Sequence, residues 1–321
     1  METTFIDQNG TAFNSVEDLI NSAMGIPVQS AEEEMEEQNF SHWIIQGDEF
    51  FPAENMKLTL KLPNGVYKIV ETRDDIKVVP HKINTDELYT FSENFTEKIL
   101  KEVNEFWGKK DIYKKHKLTH KRGILLCGCP GSGKSSIINL LIKQIIETDG
   151  LVFMINNTQE FRLYSQVLKP MVRKIEPERP IITVIEDINQ LIDDMGGSDY
   201  QLLDFMDGKN TIDHHLIIMT SNDTTSLSEA LLRPSRIDLT YEIPNPSEKI
   251  RKEYFMKKGL EKEKAVEMAK ATNGMSFAQL KEVFIGTEVL GKDVNSVVNR
   301  INEPFQSKDY LGKQKVMKGF C

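Results

Sequence analysis

The strongest chemical signal in this sequence sits in four residues of "GILLCGCPGSGKSS". Gly128, Gly133, Lys134 and Ser135 satisfy the spacing G-x-x-x-x-G-K-[ST]. Glycines at this spacing permit a tight turn whose N–H groups point inward, where phosphate oxygens accept from them. Pro130, Gly131, Ser132 and Ser136 complete the loop expected to wrap a nucleotide's phosphates. The segment that follows, "SSIINLLIKQII", reads as a helix, and its N-terminus adds roughly half a positive charge. Lys134 should reach the β- and γ-phosphates, and Ser135 should ligate Mg²⁺ through its hydroxyl. The loop alone implies a bound nucleotide with Mg²⁺. The plain alternative is a Gly-rich turn with a surface lysine, and the strand and helix on either side argue against it. Cys127-x-Cys129 overlaps the loop, but no other nearby cysteine completes a tetrahedral metal site.

A second chemical signal is "TVIEDIN", where an apolar run ends in Glu186 and Asp187. The pair alone is open to three readings: a working nucleotide-hydrolysing site, an altered one, or a strand that happens to end in two charges.

These groups need a scaffold. "GILLCG", "LVFMIN", "IITVIE" and "HLIIMTS" are strand-length apolar runs with little polar alternation, as in a parallel sheet covered on both faces. Helical segments alternate with them. The expected fold class is α/β, a P-loop three-layer doubly wound sheet over 87–246. Helices alone follow Pro246, giving a helical lid over 247–303 and a basic tail over 304–321. Upstream, Thr90 and Glu93 have capping-box spacing and open a helix whose apolar face is Phe95, Ile99, Val103, Phe106 and Trp107. "MKLTLKLPNGVYKIVE" carries two apolar runs around Asn64-Gly65, a type I′ hairpin signal, and places a small β-rich domain at 41–86. Residues 11 to 25 read as a short helix, and "SAEEEMEEQN" as a solvated linker.

The 321 residues carry a net charge of −9. Residues 1 to 56 hold 12 acids and no Lys or Arg, so this front is a poor partner for nucleic acid. It reads as a solvated acidic segment (1–40) or a docking segment for a protein. Three cysteines argue against a disulfide scaffold and for a reducing compartment. No apolar run approaches the ~18 residues of a membrane span, and the first residues lack a signal peptide's pattern. A cytoplasmic location is expected, the host's cytoplasm if the source is viral.

From about Phe91 to Asn302 the sequence resembles the AAA family of ATPases, within the wider AAA+ group. "ERPIITVIEDINQLI" is similar to the family's second acidic motif, "YQLLDFMDG" to the helix after it, and "IIMTSNDTTSLSEALLRPSRIDLTYEIPNPS" to its second region of homology. "NGMSFAQL" resembles the lid's Gly-x-Ser motif. The resemblance implies that Glu186 holds Mg²⁺ through water and that Asp187 polarises the attacking water; the rival register exchanges the two roles. Asn222 matches the sensor-1 residue. Arg233 and Arg236, eleven and fourteen residues later, match the two arginine fingers that reach into a neighbouring subunit's site. Gly274 and Ser276 match the lid residues near adenine and ribose. Ser276 with Gln279 also has capping-box spacing. Ala278 stands where other AAA+ clades carry a sensor-2 arginine, which favours the AAA clade proper.

The family's usual order of the acid pair is Asp-Glu. The reversed order here is similar to that of a branch resembling the mitochondrial translocase of the Rieske iron–sulfur protein, and compact bacteriophage AAA proteins have similar layouts. "NTQEFRLYSQ" occupies the region where an aromatic–aliphatic–Gly pore loop is usual, which weakens threading of a polypeptide. The resemblance implies ATP as the nucleotide that the loop binds with Mg²⁺, and a homo-hexameric Mg²⁺-dependent ATPase remodelling a macromolecular client, a protein before a nucleic acid, away from membranes. The alternatives are a nucleic-acid motor or loader, and an ATP-switched scaffold with little turnover.

Overall fold

The computed structural model describes residues 5–6, 12–13, 41–46, 49–54, 61–71, 76–83, 89, 91, 95–207, 211–225 and 227–303. It divides into two compact units, Met1–Leu62 and Pro63–Cys321. In the first unit, β1 (Phe5–Ile6) pairs antiparallel with β2 (Ala12–Phe13), and β3 (Ser41–Gln46) with β4 (Glu49–Glu54). The helix expected from residue 11 is thus strand at Ala12–Phe13. Its apolar positions Val16, Leu19, Ile20 and Ala23 lie outside the described residues, as do the acidic linker, the Thr90–Glu93 capping pair and the basic tail.

The second unit is built on a seven-stranded sheet, with β5 (Gly65–Glu71), β6 (Ile76–Pro80), β7 (Lys121–Cys127), β8 (Leu151–Ile155), β9 (Ile181–Ile185), β10 (His215–Ser221) and β11 (Leu239–Glu242). Their order is β11-β7-β10-β9-β8-β5-β6. Every neighbouring pair is parallel except β5 with β6. The central strands are buried along their whole length, which explains their unbroken apolar runs.

Side chains alternate between two covered faces. On one, Ile124, Leu126, Val152, Met154, Ile182, Val184, Leu216 and Ile218 pack against the helices Phe95–Trp107 and Lys134–Glu147. Ile99, Val103 and Phe106 are buried there and Trp107 packs beside them, as the helical periodicity requires. On the other face, Phe153 meets Tyr164, and Phe161 meets Phe205 of the helix Tyr200–Asp207. The result is the three-layer α/β arrangement that the sequence indicates.

The 41–86 boundary differs. β5 and β6 belong to the main sheet, and the compact unit that holds them begins at Pro63. In β5, Gly65–Tyr67 pair with β8 and Tyr67–Glu71 with β6. The chain turns between β5 and β6 instead. Asn64 serves another need: its side-chain amide donates to the Ile146 carbonyl near the end of the helix Lys134–Glu147 (2.7 Å).

Among the described residues after β11 stand the α-helices Glu248–Lys257, Lys262–Ala271, Phe277–Phe284 and Val294–Asn302, with a π-helical turn over Ile285–Val289. Ser247 and Asp293 cap two of them, and Ser276 with Gln279 forms a capping box on a third. Phe255, Met268, Leu280, Val283 and Val297 make their common core. No helix among the described residues is long and apolar enough to cross a membrane.

Candidate nucleotide site

The phosphate loop joins the C-terminal end of β7 to the helix Lys134–Glu147. This is where open α/β sheets bind ligands, at the carboxyl ends of strands whose connections diverge. β7 leads to β8 on one side, while β10 and β11 flank β7 itself. Gly131 (φ 78°) and Gly133 (φ 104°) hold left-handed backbone. A Cβ on Gly131 would also stand 2.6 Å from the Ala278 Cβ, so the loop and the lid touch at a point with no spare room.

Lys134 Nζ donates to the carbonyls of Gly128 (2.6 Å) and Cys129 (3.1 Å) and to Asn222 Oδ1 (2.8 Å). Its ammonium thus spans the loop and the residue just past β10. Burial lowers its pKa below the usual lysine range, opposed by Cys127 and the Asp187 carboxylate. Ser135 Oγ donates to Glu186 Oε1 at 2.9 Å, bringing a hydroxyl and a carboxylate together at the tip of β9. Asp187 follows in left-handed conformation (φ 53°, ψ 65°) and opens the helix Ile188–Asp194. Its N–H donates to Thr220 Oγ1 (2.9 Å).

These groups line one cleft of about 770 Å³. Pro130, Gly131, Ser132, Gly133, Lys134, Ser135, Ser136, Glu186, Asp187 and Asn222 all face it; Gly128 shapes the loop through its carbonyl. Two polar atoms of lining residues are buried without a hydrogen-bond partner, Ser132 Oγ and Asn245 Oδ1. A buried hydroxyl and a buried amide oxygen left unpaired cost free energy that a polar ligand would recover. Inward N–H groups, a lysine and a helix N-terminus suit polyphosphate. Ser135 and Glu186 supply the oxygen donors that Mg²⁺ prefers. Among the described residues no cluster of three His, Cys, Asp or Glu side chains could hold a metal alone. A Mg²⁺ ion usually completes its shell with phosphate oxygens and water. The residues present therefore fit a Mg²⁺–nucleotide.

The cleft's other wall is aromatic. Phe91 and Phe277 stack at 5.1 Å between centroids with planes 22° apart, and Tyr89 and Tyr254 meet edge to face beside them. Such a wall suits a flat heterocyclic base. No periodicity links these four positions, which lie far apart in the chain, and sequence analysis missed them. Gly274 and Ser276 do not line the cleft, although Ser276 Oγ lies against the loop at Gly131. The Gly274 carbonyl accepts from the Asn245 side chain (3.0 Å), and Ser276 is buried in its capping box. The lid residues that reach the cleft are Phe277, Ala278 and Lys281.

Arg233 and Arg236 lie elsewhere. Arg236 donates to the Ala230 carbonyl (2.7 Å) and stands 3.7 Å from Asp207. Its backbone is pressed on Gly123, where a Cβ would meet the Arg236 carbonyl oxygen at 1.8 Å. Lys121 Nζ donates to the Ser235 carbonyl (2.8 Å), and Asp238 bonds Gly123 in both directions. Gly123 is near the start of β7 and the phosphate loop follows its end. Five residue steps lead from Gly123 to Gly128, about 16 Å at ~3.3 Å per residue, and neither Arg233 nor Arg236 lines the cleft.

Comparison with known proteins agrees with this geometry. Residues 124–245 match the model of the ATPase family associated with various cellular activities (AAA). The chain is 28% identical over 241 residues to an ATP-dependent zinc metalloprotease FtsH 2 of Thermoanaerobacter sp. (strain X514), covering 70% of this chain and 46% of that protein. It is 30% identical over 231 residues to the FtsH of Aster yellows witches'-broom phytoplasma (strain AYWB), covering 62% and 34%. A probable 26S proteasome regulatory subunit 4 of Caenorhabditis elegans is 27% identical over 161 residues, covering 45% and 35%. The chain thus spans less than half the length of each of these relatives. Phosphate loop, acid pair and family match coincide on one segment, residues 124–245, which is similar to the ATPase domain of the AAA family.

Proposed function

We propose that this protein hydrolyses ATP with Mg²⁺ in a hexameric ring and uses the energy to remodel a protein client in the cytoplasm. The separation between the arginines and their own cleft carries the reading. A site with lysine, hydroxyl, two acids and sensor amide, but with Arg236 held at the far end of β7 and neither arginine lining the cleft, is complete only when a neighbour supplies them.

Within one subunit the residues divide the work. The loop N–H groups and Lys134 hold the β- and γ-phosphates. Ser135 and Glu186 would hold the metal, which supplies charge neutralisation on the transferring phosphoryl group. Asp187 orients the attacking water, and Asn222, bonded to Lys134, keeps the ammonium aimed. Arg233 and Arg236 of one subunit stabilise the transition state of the next. An arginine supplied in trans raises turnover by about 10³- to 10⁵-fold.

A protein client is supported by relatives whose names are those of proteases and proteasome subunits. The Glu186–Asp187 order supports a finer place beside the branch resembling the Rieske-protein translocase, and the layout of the chain a likeness to compact bacteriophage AAA proteins. Arg236→Ala tests the reading. It should cut hydrolysis by orders of magnitude and leave ATP binding intact; a fully active monomer at low concentration would contradict it.

A further inference from the structure

Asp187 is a short acid in the left-handed region, where a side chain other than glycine needs support from its surroundings. We infer that Thr220 supplies it: Thr220 is a positioning residue that sets the direction of the Asp187 carboxylate. The inference rests on the proposed water-orienting role of Asp187.

The parallel ladder between β9 and β10 ends at Ile185 paired with Met219. Beyond it the chain after β9 must turn away, and the Asp187 N–H has no strand carbonyl to meet. The Thr220 hydroxyl oxygen accepts that N–H at 2.9 Å. Thr220 is buried, so this acceptor is fixed by packing. Its neighbours fasten the same seam. Ser221 Oγ donates to Asn189 Oδ1 (2.5 Å), and the Asn189 amide donates to the Asp223 carbonyl (2.9 Å). The start of the helix Ile188–Asp194 is thereby tied to the loop that carries Asn222. One run, Thr220 to Asn222, thus sets both the acid at the end of β9 and the amide that holds Lys134.

The inference makes the hydroxyl at 220 specific. Valine has nearly the same shape but cannot accept the Asp187 N–H. With that N–H unpaired, the peptide relaxes and the carboxylate swings from its place. A misplacement on the order of 1 Å costs about a hundredfold in rate.

Thr220→Val should lower kcat by about tenfold to a hundredfold, with KM for ATP and Mg²⁺–ATP affinity at the parental values. Thr220→Ser, which keeps the acceptor, should recover most of the loss. A hydroxyl that merely supports the fold would move affinity and melting temperature with kcat, and serine would show no selective rescue. Parental kcat in Thr220→Val, or equal losses in the Ser and Val variants, would overturn the inference. If Thr220→Val fails to fold, Thr220→Ala is measured the same way. Asp187→Asn separates the two levels. Full turnover in that variant overturns both the role of Asp187 and this inference; a dead Asp187→Asn beside a fully active Thr220→Val overturns this inference alone.

Discussion

Asp187→Asn and Glu186→Gln remove one charge each from neighbouring carboxylates, and they should fail in different ways. Glu186 already accepts the Ser135 hydroxyl at 2.9 Å, so its oxygen stands beside the proposed metal ligand. Asp187 faces the same cleft one residue on, with its backbone turned into the left-handed region. If Asp187 orients the water, its amide variant loses a positioned base, which costs about 10²- to 10⁴-fold in rate. At 1.36 kcal/mol per tenfold this is roughly 3 to 5 kcal/mol of barrier. ATP affinity should hold, because Lys134, the loop amides and the Ser135–Glu186 pair are untouched. Glu186→Gln should lose turnover and also weaken binding, by about tenfold and only when Mg²⁺ is present, since a charge-assisted contact is roughly twice a neutral one. The assay is steady-state phosphate release beside calorimetric ATP binding with and without Mg²⁺. The opposite pattern, Mg²⁺-dependent binding lost in Asp187→Asn and retained in Glu186→Gln, would refute this assignment and exchange the two roles. Restoring the family's order, Glu186→Asp with Asp187→Glu, then shows whether the surrounding loop is shaped to the shorter second acid.

Gly131→Ala should weaken ATP binding at least tenfold and destabilise the fold by about 1 to 3 kcal/mol, measured by calorimetry and denaturant titration, because φ is 78° and the new Cβ would stand 2.6 Å from Ala278. Lys169 is buried with its ammonium 4.1 Å from the Phe205 ring centroid, and burial lowers its pKa from 10.5 to about 8. Between those values the unfolded chain holds the proton that the folded chain has lost, so stability rises with pH through this window. The stability difference between the parent and Lys169→Met should therefore shift by about 2 kcal/mol in the parent's favour from pH 7.5 to 9.5, by denaturant titration at each pH. A pH-independent difference would place the lysine's proton elsewhere.

Much of the site was legible because its signals are local. The phosphate loop is one contiguous run, and β8 to β10 are buried along their length, which leaves their runs largely apolar. β11 escaped notice because it is four residues, "LTYE", with only Tyr241 fully buried. β5 was visible as a strand but assigned to the wrong sheet. Asn64-Gly65 has the composition of a tight turn, while the pairing of Gly65–Tyr67 with Leu151–Phe153 is a contact across more than eighty residues that composition does not encode. The aromatic wall and the Thr220–Asp187 bond are hidden for the same reason: each joins residues that only the folded sheet and lid bring together. Gly274 and Ser276 show the converse. Their motif is legible, but its capping box is satisfied within the lid, and the side chains that reach the cleft are the next ones along the helix.

The central claim is that each ATP site is shared between two subunits, and mixing two inactive variants tests it most directly. Lys134→Ala lacks a working phosphate loop but keeps its arginines; Arg236→Ala keeps the loop but has no Arg236 to offer. Mixed at increasing ratios, the two should regain ATP hydrolysis that neither shows alone, because an intact cleft of one would meet an intact arginine of the other. The account predicts a maximum at intermediate ratios. Hydrolysis that stays at the level of the separate variants, in assemblies shown to contain both, would contradict it.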